Sequence, residues 1–194
     1  MMKELKNFIG ILLLVLYSFS IKAQSNVIEK YKGNWEFKTT ESKLTFKIGN
    51  MFIFNVKGEM SVKSGFLKND DQLKIEVLIN ASSINTGINK RDDHLKSEDF
   101  FYTEKYPLIE FSSSRVEMNK TDEEYAFQTK GMLKIRGIEK EELVLFNIEQ
   151  VSKSEILITG KAKINRLDYD VDYQMAGMDD NATVKLEVKA ILQK

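Results

Sequence analysis

The chain has 194 residues with no cysteine and one histidine, and its 29 basic residues balance its 29 acidic residues. Without cysteine there is no disulfide, no catalytic thiolate and no thiolate metal ligand, and one histidine cannot build a zinc site with several imidazoles. Because the charges are scattered rather than gathered on a basic face, we expect no nucleic-acid partner, and no cofactor is predicted.

Residues 1–23 have the features of a signal peptide. Lys3 and Lys6 give a basic start, residues 8–19 form an apolar run, and Ala23 is a small residue suited to cleavage before Gln24. The run is shorter than the roughly 20 apolar residues of a membrane-spanning helix, so an uncleaved membrane anchor is the less favoured alternative. We therefore expect a periplasmic or secreted protein in which residues 24–34 lead into one domain at 35–194.

Apolar and polar residues alternate with period two along much of the chain after Trp35, which is typical of strands with one buried face. The segment from Leu73 to Asn80 is among the clearest examples. The predicted strands lie at 35–37, 44–48, 52–56, 73–79, 109–111, 125–127, 133–135, 144–148, 156–164 and 184–190. Polar turns are predicted at 68–71, 119–122, 136–137 and 178–181.

A dense charged connector, Lys90 to Phe101, interrupts this all-β pattern. Residues 89–97 are compatible with two or three helical turns, with Asn85 or Thr86 as the cap. Eight or more antiparallel strands in one domain form either a closed barrel or a two-sheet sandwich. The periodicity does not choose between these two architectures.

Four groups of residues occur in a fixed order along the chain. They are Ser42-x-Leu44-x-Phe46-x-Ile48; Arg91-Asp92-x-His94-Leu95-x-Ser97-x-Asp99-Phe100 with Tyr106-Pro107-x-Ile109-x-Phe111; Gly131-x-Leu133-x-Ile135-x-Gly137; and Gly160-x-Ala162-x-Ile164-Asn165-Arg166. Together they resemble the YceI-like family of small secreted or periplasmic bacterial proteins. The resemblance implies an all-β, lipocalin-like antiparallel barrel of about eight strands that holds a polyisoprenoid or similar lipid, with one short helical connector across a barrel mouth.

The resemblance and the aromatic-rich strands together indicate which residues line the cavity. These are Phe46, Ile48, Asn50, Phe52, Phe54, Leu95, Phe100, Phe101, Phe111, Leu133 and Ile135. Asn50 stands where the family usually has a histidine, which leaves the preferred head group open. The expected function is non-catalytic binding, carriage or storage of an isoprenoid lipid, quinone or similar long-chain amphiphile. Whether the chain acts alone or as a homodimer is also left open.

The connector residues Arg91, Asp92, His94 and Asp99 allow two interpretations. Asp92 and His94 are of the types used as base and orienter, which would make the protein an enzyme acting on a lipid in the same cavity. The segment nevertheless shows no nucleophile elbow or comparable element. We therefore interpret the four residues as a structural connector and the chain as not an enzyme. A dry-cored barrel that acts as an interaction or stress protein is a further alternative.

Asp168, Asp170 and Asp172 alternate with Tyr169, Val171 and Tyr173, which predicts a strand with three carboxylates on one face. Three carboxylates can bind calcium. These lack the glycine turn and the bidentate glutamate of an EF-hand loop, and edge strands often carry charge to prevent edge pairing. No metal site is therefore predicted.

Overall fold

The structure is a computed structural model that describes residues 29–50, 55–70, 72–173 and 177–193. Residues 29–31 form a turn. The described strands are β1 (Gly33–Phe37), β2 (Lys43–Asn50), β3 (Val56–Asn69), β4 (Leu73–Asn85), β5 (Leu108–Ser113), β6 (Val116–Met118), β7 (Phe127–Ile135), β8 (Ile138–Ser152), β9 (Glu155–Asn165) and β10 (Met178–Leu192). Helix α1 is Asn89–Lys96, and 3₁₀ turns span Thr39–Glu41 and Arg166–Tyr169.

Eight of these strands close into an antiparallel barrel. Their order is β10-β2-β3-β4-β5-β7-β8-β9, and β9 pairs with β10 to complete the ring. Strand β1 pairs with β10 and β3 beyond the end of β2, and β6 continues the line of β5 along β7. The barrel prediction is confirmed over the sandwich, and helix α1 is confirmed at the predicted position.

Strand β4 shows why these sequences form barrel walls. Leu73, Ile75, Val77 and Ile79 are buried, and they alternate with Lys74 and Glu76, which are exposed. Since successive side chains of a strand point to opposite faces, this alternation directs one apolar row into the barrel. Strand β7 repeats the pattern with Thr129, Gly131, Leu133 and Ile135 buried.

The barrel end that carries β1 has a solid core. Trp35, Leu67, Ile156, Val188 and Ala190 are at most 2% exposed. Trp35 lies opposite Leu67, and Ile156 lies opposite Ala190, so neighbouring strands bring these side chains to one level of the barrel. The opposite end receives the 86–107 connector, the β7–β8 turn and the segment after β9.

Several parts of the sequence prediction were wrong or incomplete. The strands predicted at 125–127 and 133–135 are one strand, β7, which begins at Phe127. The turn predicted at 178–181 belongs to β10, where the pairing with β2 shifts register between Met178 and Ala182. The strand predicted at 168–173 is instead a 3₁₀ turn, after which Asp170 adopts a left-handed φ of 54°. Most of β3 was missed, because register shifts near residues 60 and 63 move its buried positions from Met60 and Val62 to Leu67.

Three aromatic rings of the wall lie against glycines of the adjacent strand. Phe46 covers Gly58, Phe37 covers Gly65, and Phe111 covers Gly131. A Cβ atom at any of these glycines would collide both with the ring and with a backbone carbonyl oxygen of the sheet. The missing side chains therefore let the rings lie along the wall rather than across the barrel interior.

We expect Gly131→Ala to lower the free energy of unfolding by about 1–3 kcal/mol, since both the Phe111 ring and the carbonyl of Ser112 would have to move. Gly160→Ala is the matched control. A Cβ there meets its nearest atom, the carbonyl oxygen of Leu145, at 3.5 Å, which is ordinary contact. Urea unfolding of both variants checks the difference, and an equal loss in the two would contradict this account of the wall.

Candidate ligand cavity

The barrel contains a partly open cavity of about 200 Å³, which lies between its solid end and the connector. Packed protein cores contain few voids larger than a water molecule. Phe46, Phe111 and Val184 are not packed as in such a core. They border the cavity and are only half-buried. The interior is therefore hollow over part of its length.

The cavity wall is apolar and is built by all eight barrel strands. Its residues are Leu44 and Phe46 (β2); Met60 (β3); Ile75, Val77 and Ile79 (β4); Ile109 and Phe111 (β5); Thr129, Leu133 and Ile135 (β7); Glu142, Val144 and Phe146 (β8); Ile158, Gly160, Lys161, Ala162 and Ile164 (β9); and Ala182, Val184 and Leu186 (β10). Phe37, Phe101, Arg166, Tyr169 and Val171 complete it.

The structure distributes the predicted cavity residues among three places. Phe46, Phe101, Phe111, Leu133 and Ile135 line the cavity. Ile48 is buried without reaching it, while Leu95 and Phe100 pack in the connector. The side chain of Asn50 and residues Phe52 and Phe54 lie outside the described part of the chain.

Sequence reasoning missed the contribution of β8, β9 and β10. The signal was present, because Val144, Phe146, Ala162, Ile164, Val184 and Leu186 keep the same period-two alternation. It also missed Glu142, which falls in step with Val144 and Phe146 and so belongs to the inward row. A carboxylate in such a row is the local sign of a polar group in an apolar wall.

Thr86 joins the start of the connector to helix α1. The Oδ1 atom of Asp92 accepts hydrogen bonds from the backbone N–H of Thr86 (2.9 Å) and from its hydroxyl. Arg91 donates from Nε to the Thr86 hydroxyl oxygen (2.8 Å) and from Nη2 to the Thr86 carbonyl (3.0 Å). Asp92 is buried, so this hydrogen-bond network around Thr86 fixes where the helix begins. The N-cap itself is Ile88 without a side-chain bond, and neither Asn85 nor Thr86 fills that position.

His94 links the connector to the segment that follows β9. Its Nε2 atom lies 3.0 Å from Oδ2 of Asp99. Its ring makes edge contacts with Phe100 and Tyr173, at centroid distances of 5.0 and 4.8 Å. Asp92 and His94 thus have different partners, and neither lines the cavity.

Arg136 ties the same two segments together from the β7–β8 turn. Its Nη1 atom donates to the carbonyl of Phe100 (2.6 Å) and to the carbonyl of Asp170 (2.9 Å). The next residue, Phe101, reaches the cavity. One guanidinium therefore holds the connector and the segment after β9 over this mouth of the barrel.

Glu142 and Tyr169 form a polar pair in the cavity wall. The Tyr169 hydroxyl donates to Oε1 of Glu142 at 2.8 Å, and the tyrosine is fully buried. Burial, and then the adjacent Glu142 carboxylate, raise the pKa of Tyr169 well above its ordinary value. The phenol consequently keeps its proton and remains a donor to the carboxylate.

The three predicted strand carboxylates do not converge. Asp168 pairs with Lys140 at 2.9 Å, and Asp170 follows it in the left-handed conformation. Within the described ranges, no three imidazole or carboxylate groups come together as metal ligands.

Comparison with known proteins identifies the group to which this barrel belongs. The model of the YceI-like domain matches residues 35–190. The chain belongs to the YceI-like family. A UPF0312 protein of Staphylococcus aureus (strain N315) is 32% identical over 173 residues, covering 81% of this YceI-like chain and 95% of that protein.

Two solved structures are similar to this YceI-like barrel. The YCEI protein of Campylobacter jejuni shares 28% identity with a TM-score of 0.63, over 75% of this chain and 90% of that one. A polyisoprenoid binding domain from Saccharophagus degradans shares 14% identity with a TM-score of 0.68, over 84% of this chain and all of that one. The lipocalin-like fold expected from the sequence is thereby confirmed. Among the described residues, no helix is long and apolar enough to cross a membrane.

We expect Asp92→Ala to lower the free energy of unfolding by about 2–3 kcal/mol, because the N–H and hydroxyl of Thr86 lose a charged acceptor. Asp93→Ala is the matched control: its side chain is exposed, so its effect should stay within about 0.5 kcal/mol. Urea unfolding measures both. Equal effects of the two substitutions would show that the hydrogen-bond network around Thr86 does not hold the connector.

The raised pKa of Tyr169 predicts a loss of stability in alkali. The unfolded chain releases this proton near pH 10, whereas the folded chain retains it, so the stabilisation is complete below about pH 10 and declines as the pH rises above it. Above about pH 10 the free energy of unfolding should therefore fall more steeply in the wild type than in Tyr169→Phe. Tyr173→Phe is the control, because Tyr173 is 39% exposed, and it should follow the wild type. Parallel curves for the wild type and Tyr169→Phe would refute the assignment.

Proposed function

We propose that this protein binds and carries or stores an isoprenoid lipid, quinone or similar long-chain amphiphile in its barrel, without chemical conversion. The observation that carries the proposal is a cavity of about 200 Å³ with apolar walls inside a closed barrel. The similar domain from Saccharophagus degradans is described as polyisoprenoid binding, which supports the same ligand class here.

The physical basis of the proposed binding is removal of apolar area from water. Each Å² of buried apolar surface contributes about 25 cal/mol, so a slender hydrocarbon chain needs few polar contacts to bind. The rings of Phe46 and Phe111 lie against Gly58 and Gly131 of the adjacent strands and border the cavity, so a hydrocarbon chain in it would contact them.

The enzyme alternative placed Asp92 and His94 in the cavity as base and orienter. Asp92 is instead bonded to Thr86, and His94 to Asp99, outside the cavity wall. The positions of both residues favour the structural connector. The dry-barrel alternative is disfavoured by the hollow interior.

We further propose that the protein is exported, with residues 1–23 removed as a signal peptide. These residues lie outside the described part of the chain, and the proposal rests on their basic start, apolar run and Ala23. The cavity is built from one chain, so the proposed lipid binding requires no second copy of the protein.

The proposal is tested by filling the cavity. Ala162 lines it from β9 opposite Val184, and we expect Ala162→Trp to reduce binding of geranylgeraniol at least tenfold while the melting temperature changes little, because the added ring occupies ligand space. Lys163→Trp, on the outer face of the same strand, is the control and should bind like the wild type. Displacement of a fluorescent isoprenoid measures affinity.

Three further results decide between the proposal and its alternatives. Native mass spectrometry of protein from its own source should show a chain starting at Gln24 with a bound lipid. A wild type that binds no isoprenoid and an Ala162→Trp variant with a clearly lower melting temperature would favour the dry barrel. Turnover of the extracted lipid would favour the enzyme.

A further inference from the structure

Five lysines that are far apart in the sequence gather on the outer face of one side of the barrel. We call them the lysine face: Lys57 of β3, Lys47 of β2, Lys185 of β10, and Lys161 and Lys163 of β9. Along their strands they alternate with inward residues such as Phe46, Ala162 and Val184, so their side chains point away from the cavity. Lys161 is half-buried and the other four are exposed.

The strand register places like charges of the lysine face directly opposite each other. Lys47 lies opposite Lys57, and Lys185 lies opposite Lys161. Like charges in this position destabilise a sheet. Within the described ranges, no carboxylate lies within ion-pair distance of any of the five ammonium groups. The fold therefore keeps two repulsive pairs that no ion pair neutralises.

The carboxylates nearest the lysine face along its strands do not balance its charge. They are Glu59, Glu187, Asp179 and Asp180. Glu59 lies 3.6 Å from Lys43, and Asp180 lies 3.7 Å from Arg166, so both pair with cations outside the face. Glu187 and Asp179 remain against five lysines, and the face keeps an excess of positive charge.

The wall formed by β5, β7 and β8 is built in the opposite way. There Lys134 lies 3.6 Å from Glu110 of the strand on one side and 3.7 Å from Glu139 of the strand on the other. Alternating charges of this kind stabilise neighbouring strands. The unpaired lysines are thus a property of one side of the barrel and not of its whole surface.

We propose that the lysine face docks the protein on the surface of a bilayer that contains anionic lipids. Each lysine close to such a surface strengthens binding about fivefold. Strands lie about 4.8 Å apart, so the five ammonium groups are distributed across about 15 Å of wall. Arginine rather than lysine is suited to bidentate recognition of one phosphate, and Arg166 at the end of β9 donates instead to the carbonyls of Val171 and Asp179. Separate point charges fit a surface of many anions.

Two further features favour a bilayer as the partner. Leu145 of β8 lies opposite Lys161, and Leu143 of the same strand is 43% exposed, so apolar side chains border the cations as in proteins that lie on membranes. Lys47, Lys57 and Lys163 lie near the strand ends at the mouth, so docking brings the mouth close to the lipid. The choice of a bilayer over another polyanion rests on the proposed function, because a carrier of a membrane lipid exchanges it with a membrane.

Co-sedimentation with vesicles tests the proposal, using protein purified from its own source. Vesicles of phosphatidylcholine are compared with vesicles in which about one-third of the lipid is phosphatidylglycerol. At about 0.05 M salt the wild type should bind the anionic vesicles about tenfold more tightly or better, and about 0.5 M salt should remove most of this preference by screening.

Lys47→Gln/Lys185→Gln removes one lysine from each repulsive pair. It should weaken binding to the anionic vesicles about tenfold or more without lowering the melting temperature, because the repulsion is relieved. Lys68→Gln/Lys74→Gln is the matched control. It removes the same charge from a third pair of opposite lysines, at the solid end, where Lys68 already lies 3.0 Å from Asp70. Its binding should stay within about twofold of the wild type.

The outcomes separate this inference from the proposed function. Equal losses in the two double variants would overturn the inference, since net charge alone would then determine binding. Absence of a preference for anionic vesicles, or tighter binding to duplex DNA than to the vesicles, would overturn it as well. Displacement of a fluorescent isoprenoid is measured in the same samples. Retained isoprenoid binding without docking refutes only the inference, and docking without isoprenoid binding refutes only the proposed function.

Discussion

Pairing of β10 with both β9 and β2 closes the sheet into a barrel, and the cavity depends on that closure. Val184 lies opposite Ala162 on one side and opposite Phe46 on the other. An eight-stranded barrel has an interior just wide enough for its own side chains or for one small ligand. The sizes of the inward side chains therefore decide whether the barrel is solid or hollow. In this chain the end that carries β1 is solid, and the part toward the connector is hollow.

Local periodicity predicted the walls but not how they join. Leu73 to Ile79 could be assigned from the sequence because their alternation is unbroken, whereas β3 was missed where bulges interrupt its alternation. The contact of Val184 with Phe46 joins residues far apart in the chain, and period-two alternation is the same in a sandwich and a barrel. The resemblance to a known family supplied the closure that the pattern could not.

The candidate site was predictable to the extent that it follows strand alternation. Phe46, Phe111, Leu133 and Ile135 reach the cavity because they lie in inward rows. Phe100 was predicted at the cavity wall but packs on His94 and Tyr173. An irregular connector has no residue periodicity from which the direction of its side chains could be predicted. Tyr169 was assigned to a strand, and only the 3₁₀ turn brings its hydroxyl to Glu142.

The two ends of the barrel are held by different forces. The solid end is stabilised by buried apolar side chains such as Leu67 and Val188. The mouth relies in addition on hydrogen bonds from Arg136 and Arg91 to backbone and hydroxyl oxygens, beside the buried ring of Phe100. Hydrogen bonds exchanged with water contribute about 1 kcal/mol each, far less than a well-packed core. Local opening costs the least free energy where the fewest apolar contacts are buried. The buried ring of Phe100 therefore adds to these hydrogen bonds in holding the connector against the barrel.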